Sequence, residues 1–103
     1  MNRETIIGFI GLGVMGEKMC QNLANKSGKT VIAHDKNSSP LKRLAHEGVV
    51  TAASLEEVSK ESDIIFLSLP GEPQVREVVL SKDGILSYAT SGQIIVDCST
   101  CPV

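Results

Sequence analysis

The chain has 103 residues, enough for one small domain, and its hydrophobic and charged fractions of 42% and 21% exclude a disordered segment. A net charge of -2 at pH 7 gives no electrostatic basis for nucleic-acid binding, and no apolar run is long enough to cross a membrane. Three cysteines, an odd number, without a signal-peptide pattern indicate free thiols in a cytoplasmic protein, although an import extension outside this chain would leave no sign here.

The first predicted elements are a strand and a helix. Ile6–Ile10 is a short apolar run with β-branched residues, which predicts a strand buried on both faces. A spacing of four then predicts one apolar helix stripe, formed by Met15, Met19 and Leu23. Gly28 is expected to end this helix, because glycine is the usual residue just past a helix C-terminus.

The same alternation continues in the middle of the chain. A second strand is predicted over Thr30–His34. Ser39-Pro40 combines an N-cap residue with a proline at the first helical position, which predicts a short helix closed by Gly48. The two valines after this glycine suggest a brief third strand.

The last third of the chain repeats the pattern again. "SLEE" at 54–57 fits a capping box and predicts a helix to about Lys60, followed by a very hydrophobic strand, "IIFLSLP". "PQVREVVL" predicts a helix with three valines on one face, and Asp83-Gly84 predicts a turn before a further helical turn at 85–89. "QIIVD" predicts the fifth strand.

Strands that alternate with helices, without repeats or linkers, predict one α/β domain of parallel βαβ units with a doubly wound, mainly parallel sheet. The chain ends at "DCSTCPV", directly after a strand and without a helix to cover it. We therefore expect a domain that is truncated before its last strands. The "QIIVD" strand would then be an unprotected sheet edge, which predicts self-association of this chain.

The glycines after the first strand predict a dinucleotide site. Gly11, Gly13 and Gly16 form G-x-G-x-x-G between a strand and a helix. The first glycine permits the tight turn, the second lets a pyrophosphate approach the backbone, and the third lets the helix pack closely on the strand. The helix N-terminus attracts phosphates, and Asp35 after the next strand is suited to accept hydrogen bonds from the adenosine ribose. The alternative is a merely flexible turn, whereas Gly8 inside the strand is expected to serve close backbone packing.

Asp35 also favours NAD over NADP, because its carboxylate would repel the 2′-phosphate. Lys36 and Asn37 follow it directly, and Lys42 and Arg43 are near in sequence. Any of these could contact that phosphate, so NADP stays open as the cofactor. Lys42 and Arg43 are more typical of a solvated helix face.

The motifs together resemble a known family. "GFIGLGVMGEKMCQNL", "SDIIFLSLP", "VREVVL", "GIL" and "IIVDCST" are similar to the N-terminal signature of the β-hydroxyacid dehydrogenases, which include 3-hydroxyisobutyrate dehydrogenase, the glyoxylate/succinic semialdehyde reductases and, more distantly, 6-phosphogluconate dehydrogenase. The resemblance covers nearly the whole chain. It implies that residues 1–103 are an incomplete N-terminal NAD(P)-binding Rossmann domain, and that the catalytic, helical domain lies outside this chain.

The resemblance also implies a cofactor-binding set. The glycine loop would hold the pyrophosphate, Asp35 with Lys36 the adenosine ribose, and the end of the fourth strand would line the cofactor crevice. Gln74 departs from the asparagine that relatives often carry at its position, and the residue near the nicotinamide would be Thr100. The set is Gly11, Leu12, Gly13, Val14, Met15, Gly16, Asp35, Lys36, Leu69, Pro70, Gln74 and Thr100.

The family's chemistry is reversible hydride transfer between a nicotinamide and a short 3-hydroxy acid or semialdehyde. A lysine of the helical C-terminal domain acts as general acid/base, and a Ser-Gly-Gly-type loop binds the substrate carboxylate. Neither matches a residue of this chain, so the resemblance implies no catalytic residue here, an inactive isolated chain, and a homo-oligomer for the full-length protein.

Two other functions share some of these features. Cys98 and Cys101 form C-x-x-C, which could be a thiol-redox pair or half of a zinc site. The other soft partners are Cys20, His34 and His46, and none forms a second close pair, so we expect incidental thiols and no metal. A non-catalytic dinucleotide-binding scaffold or sensor would have the same N-terminal sequence. FAD is less favoured, because the resemblance points to a nicotinamide.

Overall fold

Five parallel strands form a single sheet in the computed structural model, which describes residues 4–89 and 91–98. The order across the sheet is β3-β2-β1-β4-β5, and every neighbouring pair is parallel. The strands are β1 (Ile6–Ile10), β2 (Thr30–His34), β3 (Val50–Thr51), β4 (Ile64–Leu67) and β5 (Ile94–Asp97). The predicted doubly wound α/β fold is confirmed.

Within the described residues, four helices and one 3₁₀ turn connect the strands. They are α1 (Val14–Lys26), α2 (Ser38–Ala45), α3 (Leu55–Glu61), α4 (Glu72–Leu80) and the 3₁₀ turn Ile85–Tyr88. The predicted ends of the first two helices are confirmed, because Gly28 and Gly48 follow them with φ of 70° and 87°. Glycine adopts such left-handed conformations without the steric penalty that a Cβ causes in other residues.

The start of α2 differs from the prediction. The N-cap is Asn37, whose side-chain oxygen accepts a hydrogen bond from the Ser39 N–H at 3.0 Å. Ser39-Pro40 therefore lies inside the first turn, and the predicted cap is wrong by two residues. Proline is tolerated there because the first N–H groups of a helix have no partner within it.

The predicted capping box begins α3. The Ser54 Oγ accepts a hydrogen bond from the Glu57 N–H at 3.2 Å, and Glu57 in turn accepts one from the Ala53 N–H at 3.2 Å. The reciprocal bond thus reaches the residue before the cap, which still fixes how the chain enters the helix.

Helices cover both faces of the sheet, and β1 contributes to both cores. Ile7 and Phe9 belong to the core under α1 and α2, whereas Ile10 belongs to the core under α3 and α4. A Cβ on Gly8 would overlap the Ser62 Oγ and come within 2.8 Å of a Val58 methyl group. Gly8 thus serves close packing as expected, but the groups that approach it are side chains of α3 and its C-cap and not another stretch of backbone.

The apolar stripe of α1 is only partly as predicted. Met19 and Leu23 pack against the core, but Met15 is 69% exposed. The fully buried positions are Gly16 and Cys20. Because α1 approaches the sheet through Gly16, the neighbouring Met15 is rotated away from the core and lies beside a cleft.

Within the described residues β5 has one neighbour, β4, and so forms an edge of the sheet. Ile94 on this edge is 55% exposed. The self-association expected from such an edge stays a prediction. None of the helices in residues 4–89 and 91–98 has the length and apolar content needed to cross a bilayer.

Candidate functional site

The winding of the sheet reverses between β1 and β4. The chain moves outward from β1 to β2 and β3, then returns to place β4 on the other side of β1. In open α/β sheets, ligands bind outside the carboxyl ends of the strands at such a reversal, because the two connecting loops diverge there. A cleft of about 710 Å³ opens at this place, between the loop after β1 and the loop after β4.

Two glycines of the first loop are required by the protein's own packing. Gly11 has φ of 97°, and a Cβ there would overlap the Ser68 carbonyl oxygen. A Cβ on Gly16 would overlap the Gly11 carbonyl oxygen. These glycines therefore allow the turn after β1 to lie against the β4 loop and α1 to lie against the turn.

Gly13 is different, because none of the packing among residues 4–89 and 91–98 requires a glycine there. Its backbone is extended, with φ of -66°. In the part of the chain that the structure describes, no heavy atom beyond its chain neighbours lies within 4 Å of where a Cβ would be. It is the N-cap of α1 and lines the cleft. The first turn of a helix presents N–H groups that the helix itself does not use, so this space is suited to a phosphate.

Asp35 holds the glycine loop in place. Its Oδ2 accepts a hydrogen bond from the Leu12 N–H, and its Oδ1 accepts one from the Asn37 N–H at 2.8 Å. The carboxylate thus ties the loop after β1 to the end of β2. Each carboxylate oxygen can accept a second hydrogen bond, so a ribose hydroxyl can still be bound.

The cations near Asp35 have different environments. The Lys36 Nζ lies 3.1 Å from the Glu77 Oε1 of α4, and both residues line the cleft. Arg43 donates two hydrogen bonds of 2.7 Å to Glu17 and so links α2 to α1. These bonds hold the pKa of Glu17 below its ordinary value. Lys42 and Arg43 are exposed and do not line the cleft, as expected for a solvated helix face.

The far side of the cleft is formed by the β4 loop, α4 and the end of β5. Leu69, Pro70 and Gln74 line it, as does Cys98, which is exposed. The Cys98 N–H donates to the Leu67 carbonyl oxygen at 2.8 Å, so pairing with β4 carries this residue to the cleft.

Most of the predicted cofactor-binding residues line one cleft. Val14 is 83% exposed and does not line it, and Thr100 lies outside the described residues. The other ten members of the set line the cleft. Lining residues absent from the predicted set are Ile10, Met19, His34, Asn37, Leu55, Ser68, Glu77, Val78, Ser81, Asp83 and Cys98. Ile10, His34, Asn37 and Ser68 adjoin predicted residues in the sequence, so a wider window around each motif would have included them. In contrast, the residues on or just after α4 reach the cleft only through the packing of that helix; they are Glu77, Val78, Ser81 and Asp83.

The structure describes two of the three cysteines, Cys20 and Cys98. Cys20 is a buried residue of α1, and burial raises the pKa of its thiol to about 12. Cys101 lies outside the described residues. In residues 4–89 and 91–98 no three His, Cys, Asp or Glu side chains are grouped so that they could hold a metal ion.

Comparison with known proteins identifies the family. Residues 6–103 match the family model described as the NAD binding domain of 6-phosphogluconate dehydrogenase. The chain belongs to this family. As a member, it is an NAD(P)-binding domain of the kind found in 3-hydroxyisobutyrate dehydrogenase-like oxidoreductases, and the resemblance stated from the sequence is confirmed.

Similar proteins extend this result. The 2-(hydroxymethyl)glutarate dehydrogenase of Eubacterium barkeri is 39% identical over 97% of this chain and 33% of its own length. The probable mitochondrial 3-hydroxyisobutyrate dehydrogenase of Dictyostelium discoideum is 37% identical over 91% of this chain and 29% of its own length. The solved structure of Psf3 in complex with NADP+ and 2-OPP has a TM-score of 0.85 at 30% identity, over 91% of this chain and 33% of that one. This NAD-binding domain thus spans about a third of the length of the curated relatives it matches.

Proposed function

We propose that this domain provides the cofactor site of an NAD-dependent oxidoreductase that transfers hydride between the nicotinamide and a short 3-hydroxy acid or semialdehyde. The observation that carries the proposal is the space at Gly13. This space lies in the cleft at the point where the sheet reverses, in front of the N-terminus of α1. Among the described residues, no atom beyond the chain neighbours of Gly13 comes within 4 Å of where its Cβ would be.

Each part of the cleft has a role in this proposal. The backbone of the loop from Gly11 to Gly16, with the N-terminus of α1, binds the pyrophosphate. Asp35 accepts a hydrogen bond from a ribose hydroxyl while it keeps the loop in place, and Lys36 lies beside the same ribose. Bound NAD supplies the chemistry of hydride transfer.

The remaining members of the predicted set bind other parts of the cofactor. Leu69 and Pro70, after β4, form the apolar wall of the crevice. Gln74, in the first turn of α4, contacts the cofactor from that side. Thr100, which is outside the described residues, is proposed to contact the nicotinamide side of the cofactor.

The substrate class rests on the relatives. The compounds in the names of the two relatives above, 2-(hydroxymethyl)glutarate and 3-hydroxyisobutyrate, share a CH₂OH group on the carbon that bears a carboxylate. A substrate of this kind is a primary alcohol that a nicotinamide can oxidise to a semialdehyde. We propose the same unit for the full-length protein of this chain.

The residues that act on the substrate are proposed to lie outside this chain. Residues 1–103 would be the incomplete N-terminal domain, and a lysine of a helical C-terminal domain would be the general acid/base. The chain alone should bind cofactor and oxidise no substrate. We also propose a cytoplasmic location and a homo-oligomer for the full-length protein.

The direct test is a calorimetric titration of the 103-residue chain with NAD and, separately, with NADP. We expect saturable binding with one site per chain and a tighter complex with NAD. Binding of neither dinucleotide would overturn the proposal. A full-length protein that binds NAD but oxidises no 2-(hydroxymethyl) carboxylic acid would support the non-catalytic scaffold instead.

A further inference from the structure

Lys36 and Glu77 join the two walls of the cleft. Lys36 directly follows Asp35 at the end of β2, whereas Glu77 lies on α4, 41 positions later in the chain. The Lys36 Nζ and the Glu77 Oε1 are 3.1 Å apart, and both side chains line the cleft. The carboxylate of Glu77 is therefore paired with the residue that directly follows Asp35, and Asp35 is the residue assigned to the ribose.

A second ion pair on the same helix shows the contrast. Arg76 and Glu72 are also paired, at 3.0 Å, but this pair lies along α4 with a spacing of four residues. Neither of its members lines the cleft. Glu72 and Glu77 are thus two exposed carboxylates of one helix, each beside a cation, and only one of them is at the cofactor cleft.

The charges at the ribose end of the cleft are unfavourable for a phosphate. Among the described residues that line the cleft, Lys36 is the single lysine or arginine, and the acidic residues are Asp35, Glu77 and Asp83. The Lys36 ammonium is already paired with Glu77. The ribose of NAD is neutral at its 2′ position, whereas a phosphomonoester carries a charge of about -1.5 to -2 at pH 7. To use Lys36, the 2′-phosphate of NADP would have to displace Glu77 and then remain beside its carboxylate.

We propose that Glu77 is a specificity-determining residue that selects NAD against NADP, an inference that rests on the proposed function. It acts in two ways: it keeps the Lys36 ammonium engaged, and it adds a negative charge to that of Asp35. From the sequence, Asp35 was the residue expected to disfavour NADP. The ion pair between Lys36 and Glu77 indicates that a residue of α4 contributes as well.

The test is the Glu77→Gln variant, which removes the charge and keeps the shape. Affinities of the 103-residue chain for NAD and NADP are measured by calorimetry at low salt. The affinity for NADP should rise by about three- to tenfold, and that for NAD should change by less than about twofold, as expected for one exposed charge near a phosphate. Added salt should reduce this increase in NADP affinity, because it screens the charge of Glu77.

Two further variants define the cause. Glu72→Gln removes a carboxylate from the same helix outside the cleft, so it should leave both affinities unchanged. In a Lys36→Met background, Glu77→Gln no longer frees a cation, so the gain for NADP should be smaller. A gain of the same size in that background would overturn the part of the proposal that concerns Lys36.

The outcomes separate the inference from the proposed function. A wild-type chain that binds NAD, with the same NAD-to-NADP ratio in Glu77→Gln, overturns the inference and leaves the function intact. A wild type that prefers NADP also overturns it. A wild type that binds neither dinucleotide overturns the proposed function, and the inference with it.

Discussion

Replacing Gly13 with alanine should weaken NAD binding strongly and leave the fold almost unchanged. The backbone of Gly13 is extended, which alanine adopts without strain. Apart from chain neighbours, no atom of residues 4–89 and 91–98 lies within 4 Å of the new methyl group. Alanine is a poorer N-cap than glycine by about 0.5–1 kcal/mol. Alanine also restricts the backbone of the unfolded chain, which stabilises the folded state by about 0.4–1 kcal/mol. The two terms nearly cancel, so the free energy of unfolding should change by less than about 0.5 kcal/mol.

The cost to binding is larger, because the methyl group would occupy the space assigned to the pyrophosphate. We expect the dissociation constant for NAD to rise at least about tenfold, which corresponds to about 1.4 kcal/mol. Binding is measured by calorimetry and stability by urea unfolding. Circular dichroism is the suitable signal, because the chain has no tryptophan and a single tyrosine.

Two other glycines provide matched controls. In Gly16→Ala the methyl group would overlap the Gly11 carbonyl oxygen, a backbone atom that cannot move aside cheaply. Crowding of this kind costs about 2–3 kcal/mol, against a helix-propensity gain of about 1 kcal/mol, so a net loss of about 1–2 kcal/mol is expected. Gly28→Ala is remote from the cleft and has φ of 70°, so it should lose about 1 kcal/mol of stability and keep its affinity for NAD. Wild-type affinity in Gly13→Ala, or destabilisation equal to that of Gly16→Ala, would refute the reasoning.

Other predictions concern the groups around the cleft. Asp35→Ala leaves two backbone N–H groups without their carboxylate acceptor, so urea unfolding should show a loss of about 1–3 kcal/mol, and a variant as stable as wild type would contradict the proposed tether. Because the pKa of Glu17 is lowered by Arg43, the stability difference between wild type and Glu17→Gln should be complete above the ordinary carboxyl pKa. It should vanish as the pH falls through the lowered value, and a difference that persists in strong acid would contradict this. Cys98 should react with a disulfide reagent in the native chain and be protected by NAD, whereas Cys20 should react only on unfolding, as mass spectrometry of the labelled peptides would show.

The arrangement of strands and helices was predictable because its signals are local. Apolar runs, the glycines that end α1 and α2, and the capping box at Ser54 each act over a few residues. The predicted start of α2 was wrong by two residues, because several neighbouring residues can act as the N-cap. The segment "DKNSSP" contains more than one possible N-cap. Asn37 is the one used, and its N–H is also bound by Asp35, which itself binds the loop after β1.

The site was predictable near the glycine motif and less so elsewhere. The fixed spacing of the motif places Gly11, Gly13 and Gly16 at the junction of β1 and α1, and this placement depends only on local sequence. The part played by α4 depends on how that helix crosses the sheet, which no local pattern encodes. Glu77 therefore could not be assigned from sequence, and the loop-holding role of Asp35 was missed for the same reason, since Leu12 is 23 residues away.

The central position of β1 has a consequence for the newly made chain. Although β1 is synthesised first, Ile7 pairs with Ile64 of β4, which lies 57 positions later. At about 5–20 residues per second, a ribosome needs roughly 3–11 s to deliver that partner. During this time one side of an apolar, β-prone segment has no strand to pair with. Gly8 lowers the β-propensity of this segment, so the residue that permits close packing in the folded sheet should also restrain aggregation of the nascent chain.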